Sequence, residues 1–273
     1  MRKMSTEEII DKLESMNVEF DETSFKEQTQ NYISATRLAD DCYYTQDFDA
    51  EGPDEDFIWL AIIELWKRLI PERINIEMIN DSMQDGYKFI GNGNYTEGMK
   101  EWEAAWNMIR TIIPPHIKSV WEADQFMPEP LTQSIHNWCQ DFEMELYNAG
   151  IDDRSYFMKR IKYCHEFCDI FPDTDELILH NMHRAEAESY LALGDAETAE
   201  NLFKERIEEF PDNVWGYVDW GDMYCFGRYS EKIPPDYDRA EKIYRMGLAR
   251  CDTEIEVIHG RLERLEEKRT GTQ

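Results

Sequence analysis

Asp47, Asp49, Glu51 and Gly52 reproduce the opening of a calcium-binding loop. Oxygens at alternate positions would wrap the ion, and a glycine would make the sharp turn. The carboxylate that should close such a loop falls at Ile58, so a solvated acidic loop is the plainer reading. Cys164, His165 and Cys168 form a second candidate, with His180 and His183 available to complete a metal set. Cysteines four apart on a helix also suit a packed face, where a thiol behaves as a small apolar group. His165-Glu166 begins a metal-hydrolase helix, but Asp169 stands where its second histidine belongs. There is no Gly-rich phosphate loop, nucleophile elbow or dinucleotide turn. With 58 acidic side chains, carboxylate pairs arise by chance, so pairing alone identifies no acid–base couple. The expectation is a protein that is not an enzyme and carries no cofactor or metal.

The elements that would position any site are legible in a repeated spacing. Ala187, Tyr190, Gly194, Ala199 and Phe203 follow one another at the same intervals as Gly86, Phe89, Gly93, Gly98 and Trp102. Gly221 and Tyr224 restart the pattern after Ala187. Small and aromatic residues spaced in this way describe two antiparallel helices joined by a Gly-containing turn. Such a hairpin cannot bury its apolar face alone, so copies must stack.

The stretch from His180 to Asn213 resembles a tetratricopeptide repeat through Ala187, Tyr190, Gly194, Ala199, Phe203 and Pro211. The next unit, to Asp252, resembles it through Trp220, Gly221, Tyr224, Ala240 and Tyr244, with an insertion in its turn that contains Pro234 and Pro235. Looser matches run from Gly86 to Ala105 and from Trp138 to Pro172. The whole chain is also similar to bacterial helical-repeat proteins, some of which end in a Cys-rich zinc segment of the SEC-C type. No cysteine follows Cys251, so that segment is absent here. The resemblance implies an all-α fold, a superhelix of antiparallel helix hairpins, and a protein or peptide bound along the concave face of the repeats.

Composition bounds the partners. The net charge of −29 repels nucleic-acid phosphates and anionic membrane surfaces. The longest apolar run, Phe57 to Ile63, stops at Glu64, short of the roughly 20 residues that a membrane span needs. The N-terminus turns acidic at Glu7 and Glu8, and six cysteines lack framework spacing, which together predict a cytoplasmic setting.

Helix punctuation sets the expected organisation. Ser5 with Glu8, and Ser24 with Glu27, have capping-box spacing. A helix is expected over 55–69, with Ile58, Ile62, Leu65 and Leu69 on one face, and another over 117–123. Pro114, Pro115, Pro128 and Pro130 mark a connection. The predicted regions are an N-terminal helical region over 1–75, a first hairpin and connection over 76–130, and repeats with a capping helix over 131–273. The apolar stripe Ile255, Ile258, Leu262 and Leu265 fits a solenoid cap or one half of a coiled-coil seam.

The resemblance also implies which residues face the groove: those that flank the packing positions on each first helix. These are Asn181, Arg184, Glu188 and Leu191 in one unit, and Trp215, Val218, Asp219, Asp222 and Phe226 in the next. In the early unit they are Asn80, Met83, Tyr87 and Ile90. An acidic groove with aromatic patches favours a basic or aromatic-bearing segment. The alternative is a regulatory or sensor protein with a small-ligand or metal site in the N-terminal helices.

Overall fold

The computed structural model describes residues 1, 3–128, 130–226 and 234–271. Among them there are fourteen α-helices and no strand: α1 (Thr6–Ser15), α2 (Glu22–Gln28), α3 (Ala35–Cys42), α4 (Asp56–Leu69), α5 (Ile76–Gly91), α6 (Tyr95–Ile112), α7 (Val120–Phe126), α8 (Ile135–Asp152), α9 (Ser155–Ile170), α10 (Glu176–Leu193), α11 (Ala196–Glu209), α12 (Val214–Cys225), α13 (Tyr237–Arg250) and α14 (Glu256–Thr270). None of the helices is long and apolar enough to cross a membrane. The chain divides into two compact units, residues 1–138 and 139–273.

Local chemistry explains most helix starts in the first unit. At α1 the Ser5 hydroxyl accepts from the Glu8 amide (3.1 Å) while Glu8 accepts from the Ser5 amide (2.6 Å), the reciprocal cap that the spacing implied. Ser24 plays no such part. Asp21, three residues upstream, takes the Ser24 amide at 2.8 Å and starts α2 earlier, because a carboxylate is a stronger acceptor for the orphan amides. The expected helix at 117–123 starts instead at Val120, where Ser119 and Glu122 form a capping box. The expected helix at 55–69 is α4, with Ile58, Ile62 and Leu65 wholly buried among Leu13, Phe25, Leu38 and Trp66. Ile58 is therefore a core residue and cannot close a calcium loop. Glu77 of α5 reaches back to cap α3, accepting from Ser34 Oγ and from the amides of Ala35 and Thr36 at 2.7–2.8 Å.

α5 and α6 form a hairpin whose contacts run in opposite sequence order: Gly86 faces Trp102 while Ile90 faces Gly98. A Cβ on Gly86 would sit 2.1 Å from the Trp102 ring, so only glycine admits that indole, whose Nε1 donates to the Met83 carbonyl (2.9 Å). The turn that closes the hairpin has the Gly93 amide on the Ile90 carbonyl (2.8 Å) and the Asn94 amide on the Phe89 carbonyl (2.9 Å), with Gly93 at φ 76°.

In the second unit the turn between α10 and α11 repeats this bonding. Gly194 (φ 90°) donates to the Leu191 carbonyl and Asp195 to the Tyr190 carbonyl, both at 2.9 Å. Ala187, Ala199 and Phe203 are buried between the two helices, as their spacing implied. α12 and α13 pack in antiparallel fashion, Gly221 against Tyr244 and Tyr217 against Gly247. Most of the expected insertion between them, residues 227–233, lies outside the described residues. α14 packs on α12 and α13 with Ile258 and Leu265 buried, so its apolar stripe is spent inside its own unit.

Candidate functional site

The second unit carries a groove of about 580 Å³. Met144 and Tyr147 come from α8, Arg184, Glu188 and Leu191 from α10, and Trp215, Asp219, Asp222 and Met223 from α12, with Phe226 and Arg261 at one end. Seven of the expected groove positions therefore lie together: Arg184, Glu188, Leu191, Trp215, Asp219, Asp222 and Phe226. Val218 does not join them. It is buried in the hydrophobic core with Tyr217 and Phe203, one helical step away from the groove face. Asn181 is half-buried and does not line the groove. Tyr87 belongs to the first unit, where its ring packs edge-on to Trp102 at 4.8 Å. Met83 of that unit is fully buried and also packs rather than lines a surface.

The acidic residues of the groove are not free charges. Asp222 accepts from Tyr244 Oη (2.6 Å) and from Arg261 Nε (2.9 and 3.0 Å). Burial raises its carboxyl, and those two donors pull it back toward the charged form. Asp219 faces His180 Nε2 at 2.8 Å. Both aspartates were expected to point outward; their side chains are only 13% and 24% exposed.

Beneath these lies a network that the spacing did not reveal. Arg160 of α9 is buried. Its Nε donates to Glu143 Oε1 (2.6 Å), its Nη1 to the Ala185 carbonyl (3.0 Å) and Ser189 Oγ (3.2 Å), and its Nη2 to Glu143 and to Glu188 (3.4 Å). Its guanidinium also lies 4.9 Å from the centre of the Tyr147 ring. Burial raises the Glu188 carboxyl, while Arg160 and Arg184 lower it. One cation thus joins α8, α9 and α10 at the floor of the groove, which fixes the spacing of the helices that line it.

Polar and apolar groups share the lining of the groove. Its carboxylates are paired, and its open area is aromatic and thioether: Met144, half exposed, with Trp215 and Phe226 partly so. Arg261, Arg264 and Lys268 of α14 approach the Phe226 ring at 6.0, 4.7 and 5.2 Å.

The cysteine cluster takes a different form. Cys164 is wholly buried and burial holds its thiol protonated; Cys168 is pushed up to about 12 for the same reason. Thiolates, the forms that ligate metal, are suppressed at both. No group of three His, Cys, Asp or Glu among the described residues is arranged to hold a metal ion. EDTA is therefore expected to leave the melting temperature unchanged, because a structural metal would add its binding energy to folding. A clear drop, with stoichiometric zinc in the untreated protein, would overturn that expectation.

In comparisons with protein-family models, curated proteins and solved structures, this chain matches none.

Proposed function

We propose that the second unit is a tetratricopeptide-like stack of helix hairpins that binds an extended protein segment along its groove, without catalysis. The repeated turn bonding at Gly93 and Gly194, and the Gly-to-aromatic contacts at Gly86 and Gly221, support the repeat reading. The observation that carries the binding reading is the groove itself, lined from α8, α10 and α12 by apolar rings and a thioether set between paired charges.

The segment it fits is basic and carries an aromatic or aliphatic anchor. Glu143, Glu188, Asp219 and Asp222 are already bonded within the unit, so a partner gains little from new ion pairs there. The charge of −29 acts at longer range, speeding the approach of a cationic chain, while Trp215, Phe226 and Met144 hold it once docked.

The test uses fluorescence anisotropy with two labelled peptides of equal length, one bearing Lys and Trp, the other Glu and Trp. The cationic peptide is expected to bind, with association slowed by salt. Trp215→Ala is expected to weaken it by about 2 kcal/mol, the size of an interface anchor. Equal binding of the acidic peptide, or unchanged affinity in Trp215→Ala, would remove the groove from consideration. Asp219→Lys and Asp222→Lys are poor probes, since both break buried pairs.

A further inference from the structure

A second cavity of about 240 Å³ lies among α9, α10, α11 and α12, floored by Leu202, Phe203 and Gly216. His165, His180, His183, Arg184 and Arg206 converge on it. Their bonding is incomplete in one consistent respect. His180 Nδ1, Arg184 Nε, and both Nε and Nη2 of Arg206 are buried and have no hydrogen-bond partner. Arg206 is 8% exposed and His180 is 5% exposed, so solvent barely reaches them.

Each of the two is pinned on one side and bare on the other. Arg206 Nη1 donates to Glu209 (3.2 Å) and the guanidinium lies 3.9 Å from the centre of the Phe210 ring, while the Nε–Nη2 edge meets nothing. That edge is the two-pronged side of a guanidinium, whose parallel N–H groups match the two oxygens of a carboxylate or phosphate. Buried polar groups are almost always paired, so an open cationic fork beside a cavity identifies a missing acceptor.

The carboxylates around the cavity do not supply it. Asp219 is taken by His180 Nε2, Glu209 by the other side of Arg206, and Glu186 stands nearest His165 Nδ1 at 3.7 Å. Glu205 lines the cavity too, yet makes no bond to the open edge. His183 reports the balance at the centre: burial, then Arg206, His180 and His165, depress its ring to about 4, and no carboxylate acts against them. Carboxylates line the cavity together with Arg184 and Arg206, but the hydrogen-bonding groups left open there belong to the two arginines and to His180.

We propose that the cavity receives a small oxyanion, a carboxylate or a phosphate, on the open Nε–Nη2 edge of Arg206. The cavity shares Arg184, Phe203 and Asp219 with the groove, but Arg206 does not line the groove, so the proposal stands whether or not the groove reading holds.

Melting temperature and the His183 ring titration, followed by NMR, are measured in chloride, acetate and phosphate at matched ionic strength. The occupying anion is expected to raise the melting temperature over chloride and to lift the His183 midpoint by about one pH unit, as a counter-charge beside it must. Both responses should vanish in Arg206→Met. Should that variant fail to fold, Arg206→Lys keeps the charge, loses the fork, and is expected to bind about tenfold more weakly. A response to phosphate alone identifies a phosphoryl ligand, and a response to acetate, with or without phosphate, a carboxylate-sized site. Identical behaviour in all three salts overturns the proposal, as does a response that survives in both Arg206 variants.

Discussion

Arg160→Met is expected to lower the stability of the second unit by about 3–5 kcal/mol, the usual cost of removing one partner from a buried ion pair. The loss does not come from the missing attraction alone. Glu143, with a side chain only 15% exposed, is left without its ion-pair partner, and Ser189 loses an acceptor role toward Nη1. Urea unfolding of wild type, Arg160→Met, Glu143→Gln and the double variant forms a cycle that separates these effects. The double variant should recover part of the loss, because an amide needs no counter-charge. A cost below about 1 kcal/mol for Arg160→Met would mean that the pair behaves like a surface salt bridge. The groove floor would then have to be fixed by apolar packing.

The second large effect is a dependence of stability on pH carried by His183. Its folded-state value is depressed from 6.5 to about 4, by burial first and by Arg206 next. The unfolded chain therefore takes up its proton before the folded chain does. The resulting stability is fully present above pH 6.5 and is lost as the pH falls toward 4, amounting to no more than roughly 3 kcal/mol over that window. Glu186, Glu188 and Asp222 run the other way: burial raises their carboxyls, so their contributions grow as the pH falls. The informative quantity is thus the difference between wild type and His183→Gln. The variant should lose up to about 1.4 kcal/mol per pH unit of slope between pH 6 and 4.5, one proton's worth. Parallel curves for the two proteins would show that His183 titrates normally.

Local signals in the sequence carried as far as local physics reached. The turns at Gly93 and Gly194, the cap at Ser5, the helix over 56–69 and the buried faces at Ala187, Ala199 and Phe203 are each marked by residues close together in the sequence, so spacing exposes them. Ser24 misled because two acceptors competed for one helix start and the nearer carboxylate won. Val218 misled because one step along a helix rotates a side chain by about 100°, enough to turn groove into core. The Arg160 network was invisible for another reason. Its partners lie 17 to 29 residues away on other helices, and with 58 carboxylates in the chain no single Arg–Glu pairing stands out. The same holds for the open edge of Arg206, which is defined by bonds that are missing, and missing bonds leave no pattern in a sequence.

The six cysteines, none of them in a disulfide, make the protein its own clock. Cys42 sits half-buried in the first unit, and in the second Cys168 is half-buried while Cys139, Cys164, Cys225 and Cys251 are closed off. A thiol reagent reaches a closed cysteine only when the surrounding helices part, so its reaction rate measures how often that region opens. Cys225 lies against Tyr244 (3.2 Å), next to the Gly221 contact, and Cys164 lies one turn from Arg160. Rates read at the two positions would rank the opening energies of neighbouring hairpins in the unmodified chain, with no label introduced.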